Sequence, residues 1–294
     1  MAERPVYSGI FDYISKFFAM EDNQPEGSVR YRTLIEAEQY DYEGIPVAGV
    51  RREFEGPEDA STWVKERARE LHADLVGVTQ LNQDWVFQGG QVPGTFAIVL
   101  GVRMDYQEIR VAPDLRAGVE TTRAYYALGN IVQALADLLR SEGWEAWAQH
   151  PRFSAKRHHS MVLPPHAIAA GLGRLGRNGL VLTERFGSSV RWAAVTTHLP
   201  LALDEPMPED VEPFCEGCSE CRDACEAEAI PDEPTVVRGV RKYPILPMRC
   251  AHMFAKWDGC SKCISFCPFF ENYPEDLRDV RPWTPTPSDG GPLP

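Results

Sequence analysis

Apolar positions recur at helical spacing most clearly between Glu120 and Glu142, where Leu128, Ile131, Val132, Leu135, Leu138 and Leu139 fall on one face. The spacing predicts a long helix there. Gly143 ends it, since glycine accepts the backbone that closes a helix. Tyr125 lies one turn before Leu128 and is expected on the inward face, with Tyr126 beside it. A buried tyrosine near a helix start is usually packing with one satisfied hydroxyl. A shorter helical pattern runs from Glu58 through Trp63, Val64, Ala68 and Leu71, with acids in the first turn where the helix dipole favours them. Apolar runs at 73–79 and 96–102 predict strands, the second fully buried. Pro93-Gly94 punctuates between them, and further strand patterns lie at 180–183 and 191–197. Residues 1–57 show no regular period. Tyr7, Phe11, Tyr13, Phe17 and Phe18 cluster there, and either line an apolar pocket or form core. From Tyr273 the chain is Pro-rich, which predicts a disordered or surface-draped tail.

The formal net charge is -13, which argues against nonspecific binding to nucleic-acid backbone, since that runs on Lys and Arg. No stretch approaches membrane-spanning length. The first residues show neither a twin Arg nor a long apolar core, so a cytoplasmic location is expected.

Chemistry concentrates in eight cysteines, all between residues 215 and 267. One run is Cys215-x2-Cys218-x2-Cys221-x3-Cys225; the other is Cys250, a gap, then Cys260-x2-Cys263-x3-Cys267-Pro268. This is the spacing by which bacterial ferredoxins hold cubane iron–sulfur clusters, the last Cys of each run serving the other cluster. That rule assigns Cys215, Cys218, Cys221 and Cys267 to one [4Fe–4S] cluster, and Cys225, Cys250, Cys260 and Cys263 to a second. Disulfides or two structural zinc sites are the alternatives. Glu226 follows Cys225 where ferredoxin runs usually carry Pro.

A Gly-rich run begins at Pro164-Pro165-His166 and continues through Gly171-Leu172-Gly173-Arg174-Leu175-Gly176-Arg177-Asn178-Gly179. Closely spaced glycines let backbone approach a ligand, but no strand precedes a dinucleotide fingerprint here and no P-loop is present. Upstream, His150, His158 and His159 read as part of a solvated basic loop with Arg152, Lys156 and Arg157.

The run from Ala169 to Arg191, then Thr196-Thr197-His198-Leu199-Pro200-Leu201, then the two cysteine runs, resembles the corrinoid-dependent reductive dehalogenases. Their catalytic core is shared with the epoxyqueuosine reductases of tRNA modification. The resemblance covers roughly residues 57–272 and includes Tyr125 and the helix end through Gly143-Trp144. It implies an α+β fold with four parts: an N-terminal segment at 1–57, a candidate substrate-pocket cap; a nitroreductase-like corrinoid-binding core at 58–205; a ferredoxin-like two-cluster module at 206–272; and a Pro-rich tail at 273–294. It also implies electron flow through the clusters to the cobalt of a base-off cobalamin, and replacement of halide on an organohalide by a proton. Reduced ferredoxin or flavodoxin is the expected donor. Tyr125 falls on the family's proton donor and Arg191 on the basic residue beside it. A phenol titrates near pH 10, and a fixed cation favours its phenolate; Arg suits that task because it keeps its charge. The run containing Pro165, His166, Gly171, Leu172, Gly173, Gly176 and Asn178 becomes a candidate cradle for the corrinoid. His198 stands where the family commonly has Asp, a departure that bears on substrate preference. An enzyme of the epoxyqueuosine-reductase type, or a two-cluster electron carrier without catalysis, are the alternatives.

Overall fold

The computed structural model describes residues 31, 44–88, 90–150, 161–208 and 211–285. The early aromatic cluster, the pair His158 and His159, and the last nine residues lie outside the described residues.

Helix α1 (Pro57–Glu70) starts with proline at its first position, where the missing N–H costs nothing. Strands β1 (Leu75–Gln80) and β2 (Phe96–Arg103) follow, then a one-turn helix α2 (Tyr106–Ile109). Helix α3 (Leu115–Ser141) leads to β3 (Ala146–Gln149), α4 (Leu163–Ala169), a small hairpin of β4 (Arg174–Leu175) and β5 (Val181–Leu182), and β6 (Val190–Thr197). The main sheet is antiparallel in the order β1-β2-β6-β3, with Ile98 opposite Val195 and Ala148 opposite the same residue on the other side. Helix α3 packs on β2, β6 and β3; α1 and α4 pack against β1. Both faces of β2 and β6 are buried, which is why these strands read as continuous apolar runs rather than alternating ones.

Helix α3 begins five residues before the expected Glu120. Asp114 caps it, its carboxylate accepting from the Arg116 amide. The first turns hold small residues because a Cβ on Gly118 would lie 2.6 Å from the carbonyl oxygens of Trp257 and Asp258. Contact there is backbone against backbone, so the apolar period is silent. Strand β3 was not anticipated; its four residues are too short to show a period. Within α3, Tyr126 takes the fully buried position and Tyr125 sits at the margin of the buried stripe.

The cysteine region carries α5 (Glu212–Cys218), α6 (Glu220–Asp223), a hairpin of β7 (Thr235–Val237) and β8 (Val240–Lys242), α7 (Pro247–Lys256) and α8 (Lys262–Ser265). Beyond it, the expected disorder does not extend to residues 273–285. Tyr273 is fully buried; its hydroxyl accepts from Arg103 Nη1 at 2.6 Å and donates to the Met104 carbonyl at 2.9 Å. Arg103 and Arg123, both buried, donate to the carbonyls of Val280 and Trp283. Trp283 stacks on His72 at 4.4 Å. Among the described residues, no helix is long and apolar enough to cross a membrane.

Candidate active site and thiol sets

The two cysteine runs fold alike. Ser219 lies inside Cys218-x2-Cys221 and Ser261 inside Cys260-x2-Cys263; both take left-handed backbone, at φ 49° and 55°. Each is followed at once by a one-turn helix, α6 or α8, and these two helices pack together. The left-handed residue turns the chain so that two thiols three positions apart face the same volume.

No disulfide joins any of the eight cysteines, which sets the disulfide alternative aside. Burial pushes the Cys221 thiol up to about 12, and the nearest thiol charges acting on it are those of Cys267, Cys215 and Cys218. Burial likewise pushes Cys267 up to about 11, with Cys215 and Cys218 adding to it. Cys263 is raised well above the usual thiol value by burial and then by Cys250, Cys260, Cys221 and Cys225. For Cys250 and Cys260, burial is joined by the charge of Cys225. By the charges that act on one another the thiols fall as 215, 218, 221 and 267, and as 225, 250, 260 and 263, with Cys221 also adding to the rise of Cys263. The first four line one cavity, together with Arg177, Asn178, Leu182, Phe214 and Phe269. Among the described residues, no three His, Cys, Asp or Glu side chains converge as ligands of a single ion.

Adjacent residues of the Gly-rich run tie both sets to the core. Arg177 Nη1 donates to the Cys215 carbonyl at 3.2 Å, and Asn178 Nδ2 donates to the Cys263 carbonyl at 3.2 Å and to Ser188 Oγ at 3.3 Å.

Tyr125 and Arg191 meet where α3 crosses β6. The Arg191 guanidinium carbon lies 5.7 Å from the centre of the Tyr125 ring. Arg191 Nη2 donates to Thr121 Oγ1 at 3.2 Å, one helical turn before Tyr125. His150 accompanies the pair from the end of β3. It is buried, its Nε2 bonds the Tyr125 carbonyl at 2.8 Å, and its ring stands edge-on to the Tyr125 ring at 6.0 Å. The solvated-loop expectation for His150 is thereby corrected: the strand carries it inward. Tyr126 instead has its ring 6.0 Å from that of Tyr31. Two buried donors near Arg191 have no partner among the described residues: its own Nε and the Ser189 hydroxyl. Ser189 immediately precedes β6, and Arg191 is the second residue of that strand. Thr121, which holds Arg191, lies against the residue before Cys260: a Cβ on Gly259 would lie 3.2 Å from Thr121 and Gly118 atoms.

The Gly-rich run is closely fitted to the chain itself. A Cβ on Gly171 would lie 2.4 Å from the Glu205 carbonyl, and one on Gly173 2.5 Å from the Leu182 carbonyl. A Cβ on Gly176 would lie 2.9 Å from Asn178 Oδ1. The amides of Gly171, Leu172 and Gly176 donate to carbonyls of Ile168, Ala167 and Leu180. His166 is a satisfied core histidine: Nε2 accepts from the Asn82 amide and Nδ1 bonds the Val162 carbonyl. Burial lowers its pKa to about 4. Pro165 and Leu172 are half-buried. His198 is exposed, with Nδ1 2.9 Å from Thr95 Oγ1. Thr121, Arg177 and Ser189 have no sequence signal as site residues, because polar residues in short loops and helix starts carry no period.

No protein-family model matches the chain. A curated tetrachloroethene reductive dehalogenase of Desulfitobacterium hafniense strain Y51 is 27% identical, over 84% of this chain and 56% of its own. The chain is similar to the reductive dehalogenases. A second relative of the same description, from Dehalobacter restrictus, matches at the same identity and coverage. The chain thus spans about half the length of these reductive dehalogenases. Epoxyqueuosine reductase of Gloeobacter violaceus is 34% identical over a shorter stretch, 35% of this chain and 34% of that one. Among solved structures, the catabolic reductive dehalogenase NpRdhA in complex with 3-bromo-4-hydroxybenzoic acid superposes with a TM-score of 0.80 at 20% identity, covering 94% of this chain and 43% of that one. The structure of an epoxyqueuosine reductase superposes with a TM-score of 0.53 at 19% identity, over 80% of this chain and 71% of that one. These reductive-dehalogenase likenesses establish the mixed helix-and-sheet fold that the sequence leads one to expect.

Proposed function

We propose that the chain carries the catalytic centre of a corrinoid- and iron–sulfur-dependent reductive dehalogenase, in which an organohalide takes up two electrons and a proton and releases halide. The observation that carries this reading is the Tyr125–Arg191 contact at 5.7 Å, with Thr121, which holds Arg191, packed against Gly259 next to Cys260. Similarity to reductive dehalogenases extends over 84% of the chain, against about a third for the epoxyqueuosine reductases, so the dehalogenase reading is preferred.

The donor set suits two [4Fe–4S] clusters. Iron takes thiolates, so loading removes the protons that burial holds on these sulfurs. We read residues 206–272 as the ferredoxin-like module, with the pairing 215, 218, 221, 267 and 225, 250, 260, 263, and residues 58–205 as the nitroreductase-like core. A reducing compartment is the natural setting for eight cysteines without a disulfide among them.

A corrinoid suits the other side of the site. One of the matched structures is described as suggesting a mechanism for B12-dependent dehalogenation. When bound, a base-off cobalamin supplies the low-potential metal that delivers electrons to the carbon–halogen bond. Among the described residues the Ser189 hydroxyl and Arg191 Nε are buried without a protein partner, as a polar cofactor edge requires. The glycine amides are largely taken by the chain itself, so holding falls to these two residues rather than to an amide nest. Tyr125 gives the proton from its phenolic oxygen to the carbon that loses halide. Arg191 stabilises the resulting phenolate with a permanent charge. Thr121 holds the guanidinium, and His150 fixes the backbone of Tyr125. Reduced ferredoxin or flavodoxin is the proposed electron source. Anaerobic assay of the reconstituted protein with haloaromatic and haloalkene substrates tests the reading; halide release dependent on both corrinoid and reductant is expected, and release independent of corrinoid contradicts it.

A further inference from the structure

We propose that Arg177 sets the reduction potential of the cluster held by Cys215, Cys218, Cys221 and Cys267, raising it through a permanent, desolvated positive charge. The inference rests on the cluster reading above and adds a residue to it.

Arg177 is buried, at 4% exposure, and lines the same cavity as these four cysteines. It is held by carbonyl oxygens alone: Cys215 at 3.2 Å, Pro231 at 3.3 Å and Asp232 at 2.7 Å. Its guanidinium carbon lies 4.4 Å from the centre of the Tyr243 ring. The Asp232 carboxylate, the obvious counter-ion, turns instead to Arg222 at 2.6 Å. Among the described residues no carboxylate pairs with Arg177, and its Nε has no partner. A buried cation without a counter-ion is costly, unless a negative group occupies the cavity it lines. Four thiolates on a cluster are that group.

The electrostatic sign follows directly. Reduction adds one electron, taken from the donor, and moves no proton, so the cluster becomes one unit more negative. A fixed cation nearby stabilises the reduced form more than the oxidised one, and in a low-dielectric cavity the difference is large. Arginine holds its charge at every working pH. The Cys225, Cys250, Cys260 and Cys263 cluster lies outside this cavity and serves as an internal reference.

The test is an anaerobic redox titration with dithionite, followed by electron paramagnetic resonance, on wild type, Arg177→Gln and Arg177→Lys, with iron content measured on each. In Arg177→Gln one couple is expected to move to more negative potential by at least a tenfold change in its equilibrium constant, about 59 mV for one electron, while the other stays in place. Arg177→Lys keeps the charge and is expected to stay within that tenfold. Equal potentials for wild type and Arg177→Gln overturn the proposal. So does an equal shift in both variants, which assigns the effect to the hydrogen-bonded fork. Loss of half the iron in both variants overturns it in favour of a purely architectural role. Wild type without iron overturns the cluster reading itself, and the inference with it.

Discussion

Arg191 sits over the ring of Tyr125, its guanidinium carbon 5.7 Å from the ring centre, and Thr121 one turn earlier holds one of its nitrogens at 3.2 Å. Of two neighbouring tyrosines, this geometry selects Tyr125. Tyr126→Phe changes only a core residue beside Tyr31 and is expected to leave turnover nearly unchanged. Tyr125→Phe removes the proposed proton donor and is expected to lower turnover on the order of 10²–10⁴-fold, with iron content and visible absorption unaltered. Steady-state halide release on the two variants separates the tyrosines, and full activity of Tyr125→Phe removes the assignment.

In the proposed mechanism Arg191 acts by charge, and Thr121 by holding it. Arg191→Met is expected to cost turnover as Tyr125→Phe does, whereas Arg191→Lys recovers part of it. Thr121→Val frees the guanidinium and is expected to cost on the order of 1 kcal/mol of transition-state stabilisation, the worth of one hydrogen bond. The ratio of kcat/KM values for the three variants checks the order.

Gly118 is the point where α3 meets the cysteine region. A methyl there would sit 2.6 Å from two backbone carbonyls, which cannot swing away as a side chain would. Gly118→Ala is expected to cost about 1–3 kcal/mol, as overpacking does, and to lower iron per chain. Gly217→Ala is the control: no atom lies within 4 Å of its added Cβ. It lies in α5 and is expected to be neutral or slightly stabilising. Thermal melts with iron analysis distinguish the two; equal behaviour contradicts the packing account.

His166 makes stability depend on acidity. Its folded pKa is lowered to about 4 by burial, against 6.5 for a free histidine. Between those values the unfolded chain binds the proton more readily, so stability is full above about pH 6.5 and falls as pH drops towards 4. From pH 7 to pH 5 the loss is about 2 kcal/mol. His166→Gln removes that slope. Urea unfolding of both proteins at pH 7 and pH 5 is expected to show wild type losing more; parallel losses contradict it.

Tyr273 anchors the segment after the cysteines through two hydrogen bonds of its hydroxyl. Tyr273→Phe is expected to cost about 1–3 kcal/mol, seen as a lower urea midpoint with an unchanged slope. No change in midpoint would show that the segment adds nothing to the core.

Much of this was legible in the sequence, for definite reasons. Strands β2 and β6 were readable because burial on both faces leaves no polar alternation to confuse them. The kinship of the two cysteine runs was readable because their regular spacing repeats, and both fold alike around a left-handed serine. The start of α3 was not, since Gly118 and Thr121 touch backbone and carry no apolar period. Nor were Arg177 and His150: in sequence a lone Arg or His reads as solvated, and only the fold shows each buried on carbonyl oxygens. The glycines of 171–176 announced close backbone approach correctly, but the backbone approached is largely the chain's own. Tyr273 was hidden by the Pro-rich composition that follows it.

Metal content per chain, measured after anaerobic expression with corrinoid supplied, tests the central claim most directly. About eight iron and one cobalt are predicted, the content of two [4Fe–4S] clusters and a corrinoid. Iron without cobalt contradicts the dehalogenase reading and leaves an electron carrier, and zinc alone contradicts the reading of the eight cysteines.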